Sequence, residues 1–393
     1  MTDAFDPIAF LEAAVATPSH PGAGVAAMRA LLVETLDAHD AEPWVDDAGN
    51  ILATRSFTAG TADPSRPTDF GTSRAAGGPH YVLNTHIDTV SPHVPLEVDR
   101  EAGVIRGRGA CDAKGQVVTL LAAFLQADLQ GGRLTLAITP DEEILSTGAY
   151  ALVDDEGSPI RHADGVIVGE PTGLDVCTAA KGRFEGTIEL TGANAHAAEP
   201  HSGTNAVAAL GAALRALETF DERPGAPPPH PDLGAPTLTP TVVDGGEATN
   251  QVPDRARLTV DRRSVPPETT AAFDAALTSH LRDAVPDDVD VTFEFTDRPT
   301  PFLEAWATDA DAPIVGALAA AAGSTVRPFT AATEASYFAA HAPTVVFGPG
   351  DLADDRGAVA HSPREYVRVA DVQAAIAATT GALERLETSY HNN

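Results

Sequence analysis

The chain has 393 residues, 43% of them apolar, enough for a large buried core and more than one domain. It carries 25 basic against 56 acidic side chains, a net charge of −31, with the acids scattered rather than gathered in a tail. Such a surface excludes nucleic acid and anionic membrane as partners, and no apolar run approaches the ~18–20 residues of a membrane span.

The first residues, Met1-Thr-Asp-Ala-Phe-Asp-Pro7, lack a basic segment followed by an apolar one, so a cytoplasmic enzyme is expected. Self-repulsion from the net charge opposes the compact state in dilute buffer. At molar salt the Debye length falls to ~3 Å and that repulsion is screened, so a halophilic protein is expected. Only two lysines occur, Lys114 and Lys181, each followed by glycine; a specific role and chance survival both stay open. The two cysteines, Cys111 and Cys177, form no CxxC pattern, so neither a disulfide framework nor a zinc ribbon is indicated. Cys111 reads as a small buried side chain.

Asp6-Pro7 reads as the cap and first residue of a helix with Ile8, Leu11 and Val15 on one face. A second helix follows Gly24, with Val25, Met28, Leu32 and Leu36 as its stripe. Residues 58–80, rich in Gly, Pro, Ser and Thr, read as an exposed loop. Four short apolar strands then each run into a polar cluster. Tyr81-Val-Leu83 leads to Asn84-Thr-His-Ile-Asp88, and Arg133–Ile138 to Thr139-Pro-Asp-Glu-Glu143. Gly165–Val168 leads to Gly169-Glu-Pro171, and Pro343–Phe347 to Gly348-Pro-Gly-Asp351. A helix from about Gln116 lies between them. In open α/β sheets, sites form beyond the carboxyl ends of parallel strands.

After residue 177 the pattern changes to an alternating strand at 184–190, a helix over 204–219, a Pro-rich loop at 223–240, a strand at 256–261 and a helix over 268–283. The order strand, helix, strand, strand, helix, strand makes a small α+β insert. The expected fold is α/β: a mostly parallel sheet with helices on both faces over 1–177 and 295–393, interrupted by a ferredoxin-like domain at 178–294.

The strand ends carry the chemistry. His86 and Asp88 stand two apart and face one side of a strand; a metal-bound imidazole gives its other N–H to a carboxylate of this kind. Asp112, among Gly107, Gly109 and Gly115, is either an offered ligand or a helix cap. Adjacent Glu142 and Glu143 repel each other unless something positive binds there; the other reading is a solvated loop. With Glu170 and His361 the set reaches two histidines and several carboxylates, a donor set for two divalent ions sharing one bridging carboxylate.

As a set, His86-Ile-Asp88, Gly107-Arg-Gly109 with Asp112 and Lys114-Gly115, Glu142-Glu143, Gly169-Glu-Pro171, Ala195-His-Ala-Ala-Glu-Pro200, Asn250-Gln-Val-Pro253, Asp261–Pro266 and His361 resemble the dinuclear-zinc metallopeptidase family. That family includes acetylornithine deacetylase, succinyl-diaminopimelate desuccinylase, aminoacylase and carboxypeptidase G. The resemblance implies that His86 and Glu170 hold one ion and Glu143 and His361 the other, with Asp112 bridging. It implies Asp88 as orienter of His86, Glu142 as general base, and a cis peptide at Asp112-Ala113. The ions would be zinc by default, with cobalt or manganese as alternatives. It further implies a homodimer through the insert, with His196 stabilising the oxyanion in the other subunit's site. Asn250, Arg263, Gly348 and Gly350 would lie near the substrate. Arg263 suits a free α-carboxylate, though an ion pair with Asp261 is an equal reading. Ala332–Phe338 with Val346–Gly350 looks closest to acetylornithine deacetylase. The expected substrate is therefore a small N-acyl amino acid. A desuccinylase, a dipeptidase or carboxypeptidase, and a catalytically silent metal-binding scaffold are the alternatives.

Overall fold

The structure is a computed structural model and describes residues 4–57 and 78–391. The loop expected at 58–80 falls outside the described residues, apart from its last three. Contacts divide the chain into two compact units: Met1–Thr178 with Thr308–Phe329 and Thr333–Asn393, and Ala179–Ala307 with Thr330–Ala332. In this division the chain returns to the first unit at Thr308, where the sequence pattern puts the return at 295.

The first unit is built on a mixed sheet. Its strands follow the spatial order Trp44–Val45, Ile51–Phe57, Gly132–Thr139, His80–His86, Gly165–Val168, Thr344–Val346, Val176–Ala180. The middle four are mutually parallel, and they are the four whose carboxyl ends carry the polar clusters. Strands His80–His86, Gly165–Val168 and Thr344–Val346 are buried at every residue. An apolar run without alternation is what a parallel strand covered on both faces requires. The helix Lys114–Gln126 packs on this sheet and is in turn covered by Pro7–Ala16 and Val369–His391. Thr147–Asp154 packs on Ala335–Ala339, which lies against two sheet strands. The first helix starts as expected: Asp6 Oδ1 accepts the N–H of Ile8 at 3.0 Å and of Ala9 at 3.1 Å, with Pro7 at its first position.

The second unit is a four-stranded antiparallel sheet in the order Thr237–Gly245, Arg255–Arg263, Phe184–Thr191, Asp290–Phe295. Its apolar face is covered by helices Ala206–Thr219 and Thr270–Ala284. Strands Phe184–Thr191 and Arg255–Arg263 alternate between the core and solvent, the period-2 signal of a half-covered sheet. One element departs from expectation. The strand Thr237–Gly245 begins inside the segment read as a Pro-rich loop. It is an edge strand, exposed along most of its length, and its register shifts between Pro240 and Val242. Proline removes a ladder donor, and an edge or a bulge is where a sheet tolerates that.

Among the described residues, no helix is long and apolar enough to cross a membrane.

Candidate metal centre

His86 is the last residue of its strand and pairs in register with Thr139 of the parallel neighbour. One strand end therefore delivers His86, and the next delivers the turn that carries Glu142 and Glu143. Asp88 joins the two. Its Oδ1 lies 3.1 Å from His86 Nδ1 and accepts the backbone N–H of Glu142 at 3.0 Å, while its Oδ2 accepts that of Glu143 at 3.1 Å. Asp88 is 4% exposed and His86 1%.

With Nδ1 donating to Asp88, His86 presents Nε2 to the site. This atom is buried and has no hydrogen-bond partner among the described residues, yet it stands 3.3 Å from Asp112 Oδ1. The other oxygen of Asp112, Oδ2, is 3.3 Å from His361 Nε2, which also meets Glu143 Oε1 at 2.9 Å. Asp112 thus aims one oxygen at each imidazole. The alternative reading of Asp112 as a helix cap fails: the helix Lys114–Gln126 is preceded by Ala113 and has no side-chain cap. The Asp112-Ala113 peptide is cis.

Two groups of donor atoms result, His86–Glu142–Glu170 and Asp112–Glu143–His361, with the atoms of each group within 4.8 Å of one another. Glu170 follows the strand Gly165–Val168, and its Oε1 accepts the hydroxyl of Thr333 at 3.0 Å. His361 adopts φ 61°, unusual for a non-glycine residue, and strain of this kind is held only where the surroundings enforce it. Both turn glycines are positions of close approach. A Cβ on Gly348 would lie 2.7 Å from the Glu170 carbonyl, and one on Gly350 2.9 Å from Cys111 Sγ.

The centre gathers more negative charge than its own cations balance. Burial, then neighbouring Glu170, pushes the Glu142 carboxyl well above the usual range. Burial, then Asp112, pushes Glu170 up to about 8. Burial also raises Glu143. Hydrogen bonds to Asp112, then to Glu143, lift His361 to about 10. Burial opposes charging His86, but the facing Asp112 and Asp88 carboxylates outweigh it and raise that pKa well above its usual value. Burial likewise opposes the Asp112 carboxylate, and the facing imidazoles of His361 and His86 overcome it and hold its pKa low. In the ion-free chain, the facing acceptors therefore raise the proton affinity of the groups between them. Two divalent cations fit the same places: the orphaned Nε2 of His86, the two-sided Asp112 and the mixed imidazole and carboxylate donors all suit borderline-soft ions.

His196, Asn250 and Arg263 belong to the second unit and join neither donor group. His196 is exposed, pairs with Gln251 across a two-residue ladder, and its Nδ1 accepts the N–H of Ala198 at 3.1 Å. The Asn250 carbonyl accepts the N–H of Ala197 at 2.9 Å. Arg263 makes the anticipated pair with Asp261, Nε to Oδ1 at 2.8 Å, with its side chain 40% exposed.

Sequence reasoning assigned no role at the centre to three participants, although Glu334 lies in the Ala332–Phe338 segment noted above. Glu334 is fully buried beside the centre and accepts the Thr139 hydroxyl at 2.8 Å; burial raises its carboxyl to about 7. Arg108 and Glu365 are buried behind Asp112. Arg108 was visible only as part of the glycine-rich motif, and nothing in the sequence around Glu365 marks it.

The fold and donor set define a two-metal hydrolase. Residues 82–385 match the model of peptidase family M20/M25/M40, and the chain belongs to this family. It is a metal-dependent hydrolase of amide bonds. It is 34% identical over 347 residues to the acetylornithine deacetylase of Myxococcus xanthus, covering 84% of this chain and 83% of that one. It is 36% identical over 258 residues to a protein of Pyrobaculum aerophilum named as a LysW-lysine/LysW-ornithine hydrolase, covering 64% of this chain and 63% of that one. Among solved structures, the fold matches YXEP of Bacillus subtilis, described as a dinuclear metal-binding peptidase of the M20 family. The TM-score is 0.67 at 14% identity over 98% of each chain.

Proposed function

We propose that the chain deacylates small N-acyl amino acids, with N-acetyl-L-ornithine as the first substrate, releasing ornithine and acetate. The observation that carries the chemistry is Asp112, with one oxygen toward His86 and the other toward His361 at 3.3 Å each, and with Glu142 beside them. Both relatives described above carry an ornithine derivative in their names, which supports ornithine as the amine released. A relative from Mycobacterium tuberculosis named as a succinyl-diaminopimelate desuccinylase, 34% identical over 303 residues, keeps desuccinylation as the second reading.

In this reading His86 and Glu170 would hold one ion and Glu143 and His361 the other, with Asp112 shared between them. The donor types would suit zinc, with cobalt or manganese able to serve. When bound, two such ions polarise the scissile carbonyl and lower the pKa of the attacking water. Asp88 fixes the tautomer of His86 so that Nε2 faces the site. Glu142 takes the proton of the attacking water and returns it to the leaving amine. Its burial beside Glu170 raises its proton affinity toward that task. Arg263 meets the substrate carboxylate in a fork; Asn250, Gly348 and Gly350 line the substrate.

The chain works as a homodimer through the second unit, with His196 stabilising the oxyanion formed in the other subunit. Exposed Val242 and Val243 on the edge strand (60% and 62%), and Val207 and Leu214 on the neighbouring helix (37% each), support that interface. The setting is the cytoplasm of a salt-accumulating cell and the pathway is arginine synthesis.

The test is amine release in high KCl with added zinc or cobalt, from N-acetyl-L-ornithine, N-succinyl-diaminopimelate and a simple dipeptide. Preference for the first supports the proposal. Preference for the second or third keeps the hydrolase and replaces its substrate.

A further inference from the structure

Behind Asp112 lies a buried ion pair that belongs to neither donor group. Arg108 and Glu365 are each 1% exposed, and Arg108 Nη1 donates to Glu365 Oε2 at 2.5 Å. Glu365 Oε1 accepts three backbone N–H groups of the loop that presents Asp112: Gly109 at 2.9 Å, Cys111 at 3.1 Å and Asp112 itself at 3.1 Å. The Glu365 carbonyl accepts a fourth, from Gly107 at 3.1 Å. Arg108 reaches outward instead. Its Nη2 donates to the His361 carbonyl at 3.4 Å and its Nε to the Pro92 carbonyl at 3.1 Å. Just beyond, Tyr366–Arg368 pairs antiparallel with Val104–Arg106. The strand leading into the Asp112 loop is therefore laddered to the strand that follows the His361 loop.

The two residues consequently grip the backbones of two donor residues, Asp112 and His361. Both belong to one donor group, Asp112–Glu143–His361. His86 and Glu170 come from other strand ends, and none of the hydrogen bonds of Arg108 or Glu365 described above reaches them. We propose that the Arg108–Glu365 pair is a positioning clamp for one of the two ion sites. It sets the spacing of Asp112 and His361, and holds His361 in its left-handed conformation, so that the Asp112–Glu143–His361 site is preorganised at two of its donors, whereas the site containing His86 and Glu170 meets the clamp only through the shared Asp112. The inference rests on the two-ion reading above.

The clamp acts through other residues, so its signature is a split between two binding steps. Cobalt(II) titration of the wild-type protein by calorimetry, followed in parallel by visible absorption, gives two ions per chain. Glu365→Gln keeps an acceptor for the three N–H groups but removes the charge that holds Arg108. Arg108→Lys keeps the charge but cannot span Glu365, His361 and Pro92 at once. In both variants one ion binds at least ~10-fold more weakly than in wild type, as for residues that orient ligands, while the other, which meets the clamp only through Asp112, loses clearly less. The melting temperature of the ion-free variants is measured alongside. Wild-type affinity at both steps overturns the clamp. Equal weakening of both steps also overturns it, since that is general loosening. Should Glu365→Gln not fold, Arg108→Lys carries the same test. A wild-type protein that takes up no cobalt removes the two-ion reading itself, and the clamp with it.

Discussion

Asp88 holds His86 through Nδ1 at 3.1 Å, and the same carboxylate accepts the backbone N–H groups of Glu142 and Glu143. One side chain thus fixes the orientation of a ligand and the backbone that carries the proposed base. Asp88→Asn is not a mild change here. All three neighbours are donors, so whichever way the amide turns, its NH2 faces at least one N–H. Metal affinity should fall ~10–100-fold, the usual cost of losing such an orienting partner. The ion-free protein should lose about 1–3 kcal/mol from the unmatched buried donor. Zinc titration against a competing chelator, with urea unfolding of the ion-free form, measures both. Wild-type zinc affinity in the variant would remove Asp88 from this role.

Glu142→Gln separates binding from proton transfer. The amide keeps the size of the side chain but cannot take a proton from water. General acid–base catalysis contributes ~10²–10⁴-fold, so turnover should fall by that factor while two ions per chain remain. Metal analysis and steady-state kinetics on the same preparation decide it. Turnover within a few-fold of wild type would reassign the base.

The parallel block and its donor residues were legible because their signals are local. Each of the four strands is a short apolar run ended by a polar cluster, and burial along the whole strand leaves no alternation to confuse the reading. His86, Asp112, Glu143, Glu170 and His361 sit directly at those ends or in the loops beside them. What stayed hidden depends on long-range or exposed geometry. Arg108 and Glu365 are 257 positions apart, and only the fold brings them together. The edge strand Thr237–Gly245 has no covered face to impose alternation and contains Pro240, so its sequence resembles a loop.

His80 supplies a pH dependence remote from the centre. It opens the strand whose other end is His86, is 3% exposed, and places Nε2 2.9 Å from the Thr135 hydroxyl. Burial, then the charges of Arg133 and His162, lowers its pKa to about 4. An unfolded histidine titrates near ~6.5. Between these values the unfolded chain binds the proton and the folded chain does not. The contribution is therefore intact above pH ~6.5 and is lost as pH falls toward about 4, up to about 3 kcal/mol at ~1.36 kcal/mol per pH unit. Urea unfolding at pH 7 and pH 4.5 should show a shallower loss for His80→Gln than for wild type. An equal loss in both would place the acid sensitivity elsewhere.

The net charge of −31 predicts that KCl stabilises the fold. With 56 acids against 25 bases, most carboxylates cannot find a basic partner, so screening removes more repulsion than attraction. Exposed pairs such as Arg257–Glu189 weaken in salt too, but each is worth little. The shape of the response identifies its cause. The Debye length falls from ~10 Å at 0.1 M to ~3 Å at 1 M, so screening should deliver most of the rise in melting temperature below about 1 M and then level off. Stabilisation by exclusion of salt from apolar surface would instead keep growing with concentration. A melting curve at stepped KCl concentrations distinguishes the two. A melting temperature that is highest in dilute buffer would refute the halophilic reading outright.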